Sequence, residues 1–406
     1  MILQMGWRNI WRNKRRTAVI LTAVVIGVWS MIFLGALMRG IADQMVKNSV
    51  ATLTGHIQIQ NAGFRNDPVI ENLIKGPEKL APLLSRLPVD AKWTPRIRVD
   101  AVAANARHSD GVVLAGIDPG REAKISFIGD AVYQGRYLGK DDPYGIVVGR
   151  ALLEKFETRI GHKLVLMSQG TDGEIASRAF RIVGVYRAEM ESTEKRFVFV
   201  TLPAAQEMLK AGDEVSEIAI LLGNYSDAGA VADSMRAQIP DKTLQVYTWQ
   251  ELLPLVSAIM KMYDGFILVW FVVVFIAMGF GLVNTILMAV FERVREFGLL
   301  RSLGMKPHLV VAEVLAESFF LLAIGTFIGN VLGLASVWLL TDKGIDLSAF
   351  AAGMEFAGLS RIIIPVVYAK DVINADLVVF LLGILISLYP AVKASRFTPV
   401  EAMAHN

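Results

Sequence analysis

The 406-residue chain is 54% hydrophobic and only 19% charged, against roughly 45–50% and about 25% in ordinary globular proteins, which argues against a wholly soluble fold. Its net charge of +3 is too small to mark a nucleic-acid partner, whose phosphates call for a concentrated basic surface. There is no cysteine, so disulfides, thiol catalysis and Cys-ligated zinc are excluded, and a folded domain must be held by core packing alone.

The N-terminus comes first. Leu3, Trp7, Ile10 and Trp11 fall at helical spacing, with Arg8, Arg12 and Arg15 elsewhere. That pattern predicts an amphipathic helix, residues 1–16, lying on the inner leaflet with its tryptophans at headgroup depth. Thr17 to Met38 follows as 22 residues without a charge, enough to cross a hydrocarbon core that needs about 20 helical residues. A cleavable signal is the rival reading. Signals have apolar regions of about 7–15 residues and small residues at the cut; this run is longer, and Phe33 stands three before the best cut after Ala36. A retained helix is expected.

Residues 39–264 have ordinary polarity and read as one large α+β domain. Helical pattern continues from Arg39 to about Leu53. Strands are expected at His56–Gln60, Val112–Ile117, Gly145–Val148, Lys163–Met167, Phe180–Tyr186, Arg196–Thr201 and Ile218–Leu222. Helices are expected at Leu80–Leu87, Ala151–Thr158, Pro203–Ala211 and Asp227–Gln238. A division near residue 130 is one reading, and Tyr225–Leu244 marks a subdomain end in another. The charged run Arg187–Arg196 reads as a solvated loop. Trp249–Met262 is apolar on one side and leads into the next span without a break.

Three more apolar windows follow: Gly265–Phe291, Ser318–Thr341 and Ala375–Val392. Asp376 stands one turn inside the last and can reach the interface. Arg8, Arg12, Lys14, Arg15 and Arg16 before the first window, Arg293, Arg295, Arg301 and Lys306 between the second and third, and Lys393 and Arg396 after the fourth all belong in the cytoplasm by the positive-inside rule. The 39–264 domain and the 342–374 loop then lie outside. The expected fold class is a helical membrane protein with four transmembrane helices and a large extracytoplasmic α+β domain between helices 1 and 2. Both termini are cytoplasmic.

Catalytic signatures are missing. No glycine-rich loop leads into Lys-Ser or Lys-Thr, so no phosphate cradle is encoded. His56, His108, His162, His308 and His405 are scattered without metal-ligand spacing, and each reads as a surface or hydrogen-bonding residue. Ser168 and Ser177 have no nucleophile-elbow context.

The most informative stretch is residues 292–317, expected to be a cytoplasmic helix and loop. Glu292, Arg293, Arg295, Glu296, Gly298, Leu299, Leu300, Arg301, Gly304 and Met305 form a short amphipathic segment. Its apolar face is drawn from Val294, Phe297, Leu300 and Leu303, and Gly304 stops it before Pro307. Such a helix either lies on the membrane or inserts into a soluble partner. In the third window Gly325, Gly329 and Gly333 share one face and let another backbone approach, within the chain or between copies. Asn284 and Asn330 are expected to make interhelical hydrogen bonds.

Those residues resemble a known family. The chain is similar to the permeases of MacB/FtsX-type ABC transporters, within them the lipoprotein-releasing LolC/LolE branch. The resemblance rests on Trp7-Arg8-Asn9, the Glu292–Met305 segment with Glu317 beyond it, and the closing Pro390–Arg396 and Thr398–Ala402 runs. Val147–Gly149, Gly161–Leu164 and Phe180–Val185 look like its external-domain core, and Gly55–Ile59 resembles the lipoprotein-release branch. It implies a non-catalytic permease subunit that binds no cofactor, with ATP and Mg held by a separate dimeric cytoplasmic ABC ATPase docked at Glu292–Met305. It also implies a second permease chain, identical or sibling, and a periplasmic carrier or adaptor. ATP-driven movement would pass through spans one and two to extract or expel a hydrophobic cargo, such as a lipoprotein, from the inner membrane. An FtsX-like transmitter that activates a periplasmic cell-wall hydrolase is the alternative, and a membrane receptor without an ATPase a third.

Overall fold

The computed structural model describes residues 2–65, 67, 69–239, 241–347 and 362–397. They divide into two compact units, a helical one from the residues up to 44 and from 259 onward, and a β-rich one from residues 45–258. The closing run Thr398–Ala402 and His405 lie outside the described residues.

In the helical unit α1 covers Ile2–Arg12, α2 Lys14–Ser49, α3 Pro254–Glu292, α4 Val294–Ser302, α5 Pro307–Thr341 and α6 Ala369–Arg396. Helices α2, α3, α5 and α6 are long and apolar enough to cross a membrane. The 39 residues of α3 make a rod roughly 58 Å long, about twice the thickness of a hydrocarbon core. Helices α2 and α3 each continue unbroken across the sequence boundary between the units. Glycines set the tightest contacts. A Cβ added at Gly325, Gly329 or Gly333 would come within 2.6 Å of Val24, 2.7 Å of Val28 or 3.0 Å of Ile32, so α5 lays its glycine face directly on α2. Gly383 of α6 approaches Leu322 of α5 at 2.7 Å in the same sense. Phe271, Phe275, Leu282, Ile286, Val314 and Val379 complete a continuous buried core.

The β-rich unit is built on ten strands: β1 Ile57–Asn61, β2 Lys92–Ala104, β3 Ser109–Ile117, β4 Val132–Gly135, β5 Gly145–Gly149, β6 Lys163–Gln169, β7 Ile175–Tyr186, β8 Phe197–Thr201, β9 Glu217–Leu221 and β10 Leu244–Thr248. They run in the order β10-β1-β9-β2-β3-β8-β5-β7-β4, and β6 joins β2 to β7. The path β2-β3-β8-β5-β7-β6 therefore closes on itself. Strand β2 is shared: Lys92–Arg96 pairs with β9, while Val102–Ala104 pairs with β6.

Several expectations change. The sheet passes residue 130 without a division. Strand β2, the longest, was not expected, because Pro95 and alternating charges hide it; residue 95 sits where β2 meets only short β9. Strands β4 and β10 were also missed. Leu80–Leu87 is only two short turns, Pro77–Leu80 and Ala81–Leu84. The run into the second span is broken at Leu253, whose φ of −120° and ψ of 64° separate a one-turn helix from Pro254. Arg187–Arg196 is not a solvated loop throughout, since Glu191–Arg196 is helical and Glu194 is buried. Its carboxylate accepts from the Ala151 and Ala188 amides.

Candidate functional site

Helix α4 is fixed by the chain on both sides of it. Val294, Phe297 and Gly298 point inward, and Arg293, 5% exposed, is the hub. Its guanidinium donates to Glu313 (2.6 Å), Glu317 (3.1 Å) and Glu296 (3.0 Å). Glu313 and Glu317 stand one turn apart at the start of α5. Arg16 of α2 meets Glu317 at 2.9 Å and Glu292 at 3.3 Å. From α1, Arg12 pairs with Glu296 at 2.8 Å, and Asn9 donates to Glu313. Burial alone would raise the Glu296 carboxyl, but the donors on Arg12 and Arg293 hold it below its ordinary value.

The far end of α4 is closed as firmly. Arg301 donates to the Ser395 and Phe397 carbonyls at the end of α6. Gly304, at φ +96°, takes the left-handed turn that ends the helix, and the Met305 amide returns to Leu300 O. Helices α1, α5 and α6 thus grip a nine-residue helix and its cap, and Arg16 of α2 braces them through Glu292 and Glu317.

What α4 offers outward is apolar. Leu299 is 62% and Leu303 77% exposed. The face expected from the sequence is corrected here: Val294 and Phe297 turn inward, Leu300 is half-buried, and Leu303 joins Leu299 outside. Arg295 lies on the exposed side with an interaction of its own. On α1, Gly6 and Ile10 pack inward, while Trp7 is edge-on to Phe320 and half-exposed, so Ile10 leaves the lipid face assigned to it.

The opposite end of the helical unit carries a second cluster. Arg39 of α2 makes a forked contact with Asp371 of α6 (2.6 and 3.0 Å) and meets Asp264 of α3 at 2.5 Å. Beside it, α2 and α3 part around an apolar groove of about 410 Å³ lined by Leu34, Met38, Ile41, Met262, Phe266 and Trp270. Of the two asparagines within the spans, Asn330 donates to both oxygens of Asp376 (3.2 and 3.0 Å). Asn284 instead lies on an exposed face.

The β-rich unit hides a charge cluster that sequence reading missed with β2. Arg96, Glu122 and Glu217 are each at most 1% exposed. Arg96 forks onto Glu122 at 2.9 and 2.7 Å, reaches Glu217 at 3.3 Å, and donates to the Leu53 carbonyl. Leu53 stands at φ +64° in the turn that ends the helical run from α2. Alternation of Arg96, Arg98 and Asp100 was the available signal. Burial works against the Arg96 charge, but the two carboxylates raise its affinity for the proton. Among the described residues no three His, Asp or Glu converge as metal ligands.

Comparison with known proteins places these features. The model of the MacB-like periplasmic core domain matches residues 17–238, and that of the FtsX-like permease C-terminal region matches residues 267–399. The lipoprotein-releasing system transmembrane protein LolC of Neisseria meningitidis is 21% identical, over 99% of this chain and 98% of its own. YvrN of Bacillus subtilis, described as an uncharacterized ABC transporter permease, is 22% identical over 99% of each. The macrolide export ATP-binding/permease protein MacB of Wolinella succinogenes is 22% identical over 99% of this chain, which spans 60% of that protein's length.

Proposed function

This chain belongs to the family of ABC transporter permeases that join a MacB-like core domain to an FtsX-like C-terminal region, and we propose that it transmits ATP-driven movement to its β-rich unit in order to expel a hydrophobic cargo. The observation that carries this reading is α4: a helix gripped by α1, α5 and α6, with α2 bracing α5 through Arg16, that holds Leu299 and Leu303 out of the chain. A helix so braced passes a push on to the spans instead of yielding locally. Apolar anchors projecting from such a helix suit a groove on a soluble partner. In this reading Glu292–Met305 docks on a cytoplasmic ABC ATPase dimer that holds ATP and Mg, a second permease chain completes the complex, and the chain itself is non-catalytic.

Both termini then lie in the cytoplasm and the β-rich unit outside. Continuous α2 and α3 carry displacement from the inner to the outer side. The apolar groove between them supports a cargo with an acyl or similarly apolar segment, since sites of a few hundred Å³ bury most of a small ligand. A lipoprotein is the cargo we favour, with a periplasmic carrier receiving it. The test is release: the permease reconstituted with its ATPase in vesicles holding an acylated protein. ATP-dependent release is expected. Retention of cargo with full ATP turnover would refute the transport reading, and activation of a cell-wall hydrolase under those conditions would establish signalling in its place.

A further inference from the structure

Asn284 is the one asparagine of the second span. Counting back from Glu292 at 1.5 Å per residue puts it about 12 Å inside the membrane, well within a hydrocarbon core of about 30 Å. Its side chain is exposed on α3, and among the described residues it has no hydrogen-bond partner. Hydroxyls nearby behave differently. Thr285 donates back to Gly281 O and Ser387 to Gly383 O, while Asn330 is paired with Asp376. An amide carries two donors and an acceptor that a single helix cannot satisfy, and lipid offers none.

The surface around it is made for close approach. Ala277, Gly281, Asn284 and Met288 lie along one exposed strip of α3, and a Cβ built on Gly281 meets nothing within 4 Å. The glycine face of α5, in contrast, is already covered by α2. Covering the strip with lipid alone would leave the amide unbonded. Covering it with any helix requires a donor and an acceptor at that same depth.

We propose that the occupant is a second copy of this chain, the two α3 helices crossing at Gly281 with the Asn284 amides bonded to each other across a two-fold axis. A carboxamide is its own complement, donating through nitrogen and accepting through oxygen. A symmetric contact places each residue of the strip against the same strip, so an identical chain supplies the partner at the right depth without further design. One polar pair in an apolar seam also fixes register. The inference rests on the reading that two permease chains pair, and it adds which face meets and that the two chains are identical.

The absence of native cysteine makes the test direct. Full-length A277C, on the same exposed strip with Asn284 kept, and, as a lipid-facing control on α6, L385C are oxidised in native membranes together with the ATPase. A disulfide-linked dimer is expected for A277C and none for L385C, whose position is 62% exposed on another helix. Adding N284L to A277C, which removes only the amide, is expected to lower self-association by roughly five- to thirty-fold. A monomeric A277C under oxidation overturns the proposal. If the purified complex then still holds two permease copies by mass, the pairing reading survives and only the face is wrong; if it holds one, both fall.

Discussion

At the scale of single residues, the fold concentrates its charge where neutral packing would have served stability as well. Arg96 stands between Glu122 and Glu217 with almost no solvent, and its bond to Leu53 O ties the end of the helical run to β2. Arg96→Leu strands two buried carboxylates, so a loss of about 3–5 kcal/mol is expected, seen as a large fall in the thermal midpoint of the detergent-solubilised chain; an unchanged midpoint would show that the cluster is solvated. His56 gives a pH test. Burial lowers its pKa below the ordinary 6.5, and Nδ1 accepts from the Leu222 amide, so the folded form holds the ring neutral. As pH falls through the ordinary histidine range, the unfolded chain takes up the proton first, and stability present above about pH 6.5 is progressively lost. His56→Gln should flatten that part of the midpoint-against-pH curve, and parallel curves for the two proteins would count against it.

Among elements, the proposed function gives α4 and the α2–α5 contact the task of passing on a push. Leu299→Asp with Leu303→Asp leaves the inward face untouched, so the variant should fold normally yet fail to recover the ATPase on co-purification; undiminished recovery would move the docking surface elsewhere. Gly329→Val inserts atoms where Val28 Cβ already stands 2.7 Å from a built Cβ. Overpacking of that kind costs about 1–3 kcal/mol, and a lowered thermal midpoint is the readout. Much at this scale is written locally. The four apolar helices, the stop at Gly304 and most strands follow from periodicity, because each is a property of a short window. Strand β2 was illegible because its partners decide it: Pro95 is tolerated where it is, and Arg96 is a core residue only because Glu122 and Glu217 arrive from distant sequence. The same limit applies to α4. Its amphipathic pattern is readable, but Arg293 bonds to Glu313 across 20 residues and Asn9 bonds to that same Glu313 across 304, and no window contains both ends of such a bond.

For the molecule as a whole, the proposed function requires that the inner and outer ends of the chain move together. Sequence alone supports the family, the membrane character and the order of the elements, while the bracing of α4, the clasp at Arg39 and the Arg96 cluster emerge only from the fold. Each lies on helix α2 or α3 or holds the end of one. The central claim is therefore mechanical, and it can be read with one pair of labels. A single cysteine at Ile175, exposed on β7 in a chain otherwise free of cysteine, carries a spin label in each of the two permeases bound to the ATPase. Addition of ATP should change the distance between the labels, and the Leu299→Asp, Leu303→Asp variant should abolish the change. A label distance that stays fixed while the intact complex hydrolyses ATP would contradict the account, because the energy would then be spent without reaching the β-rich unit.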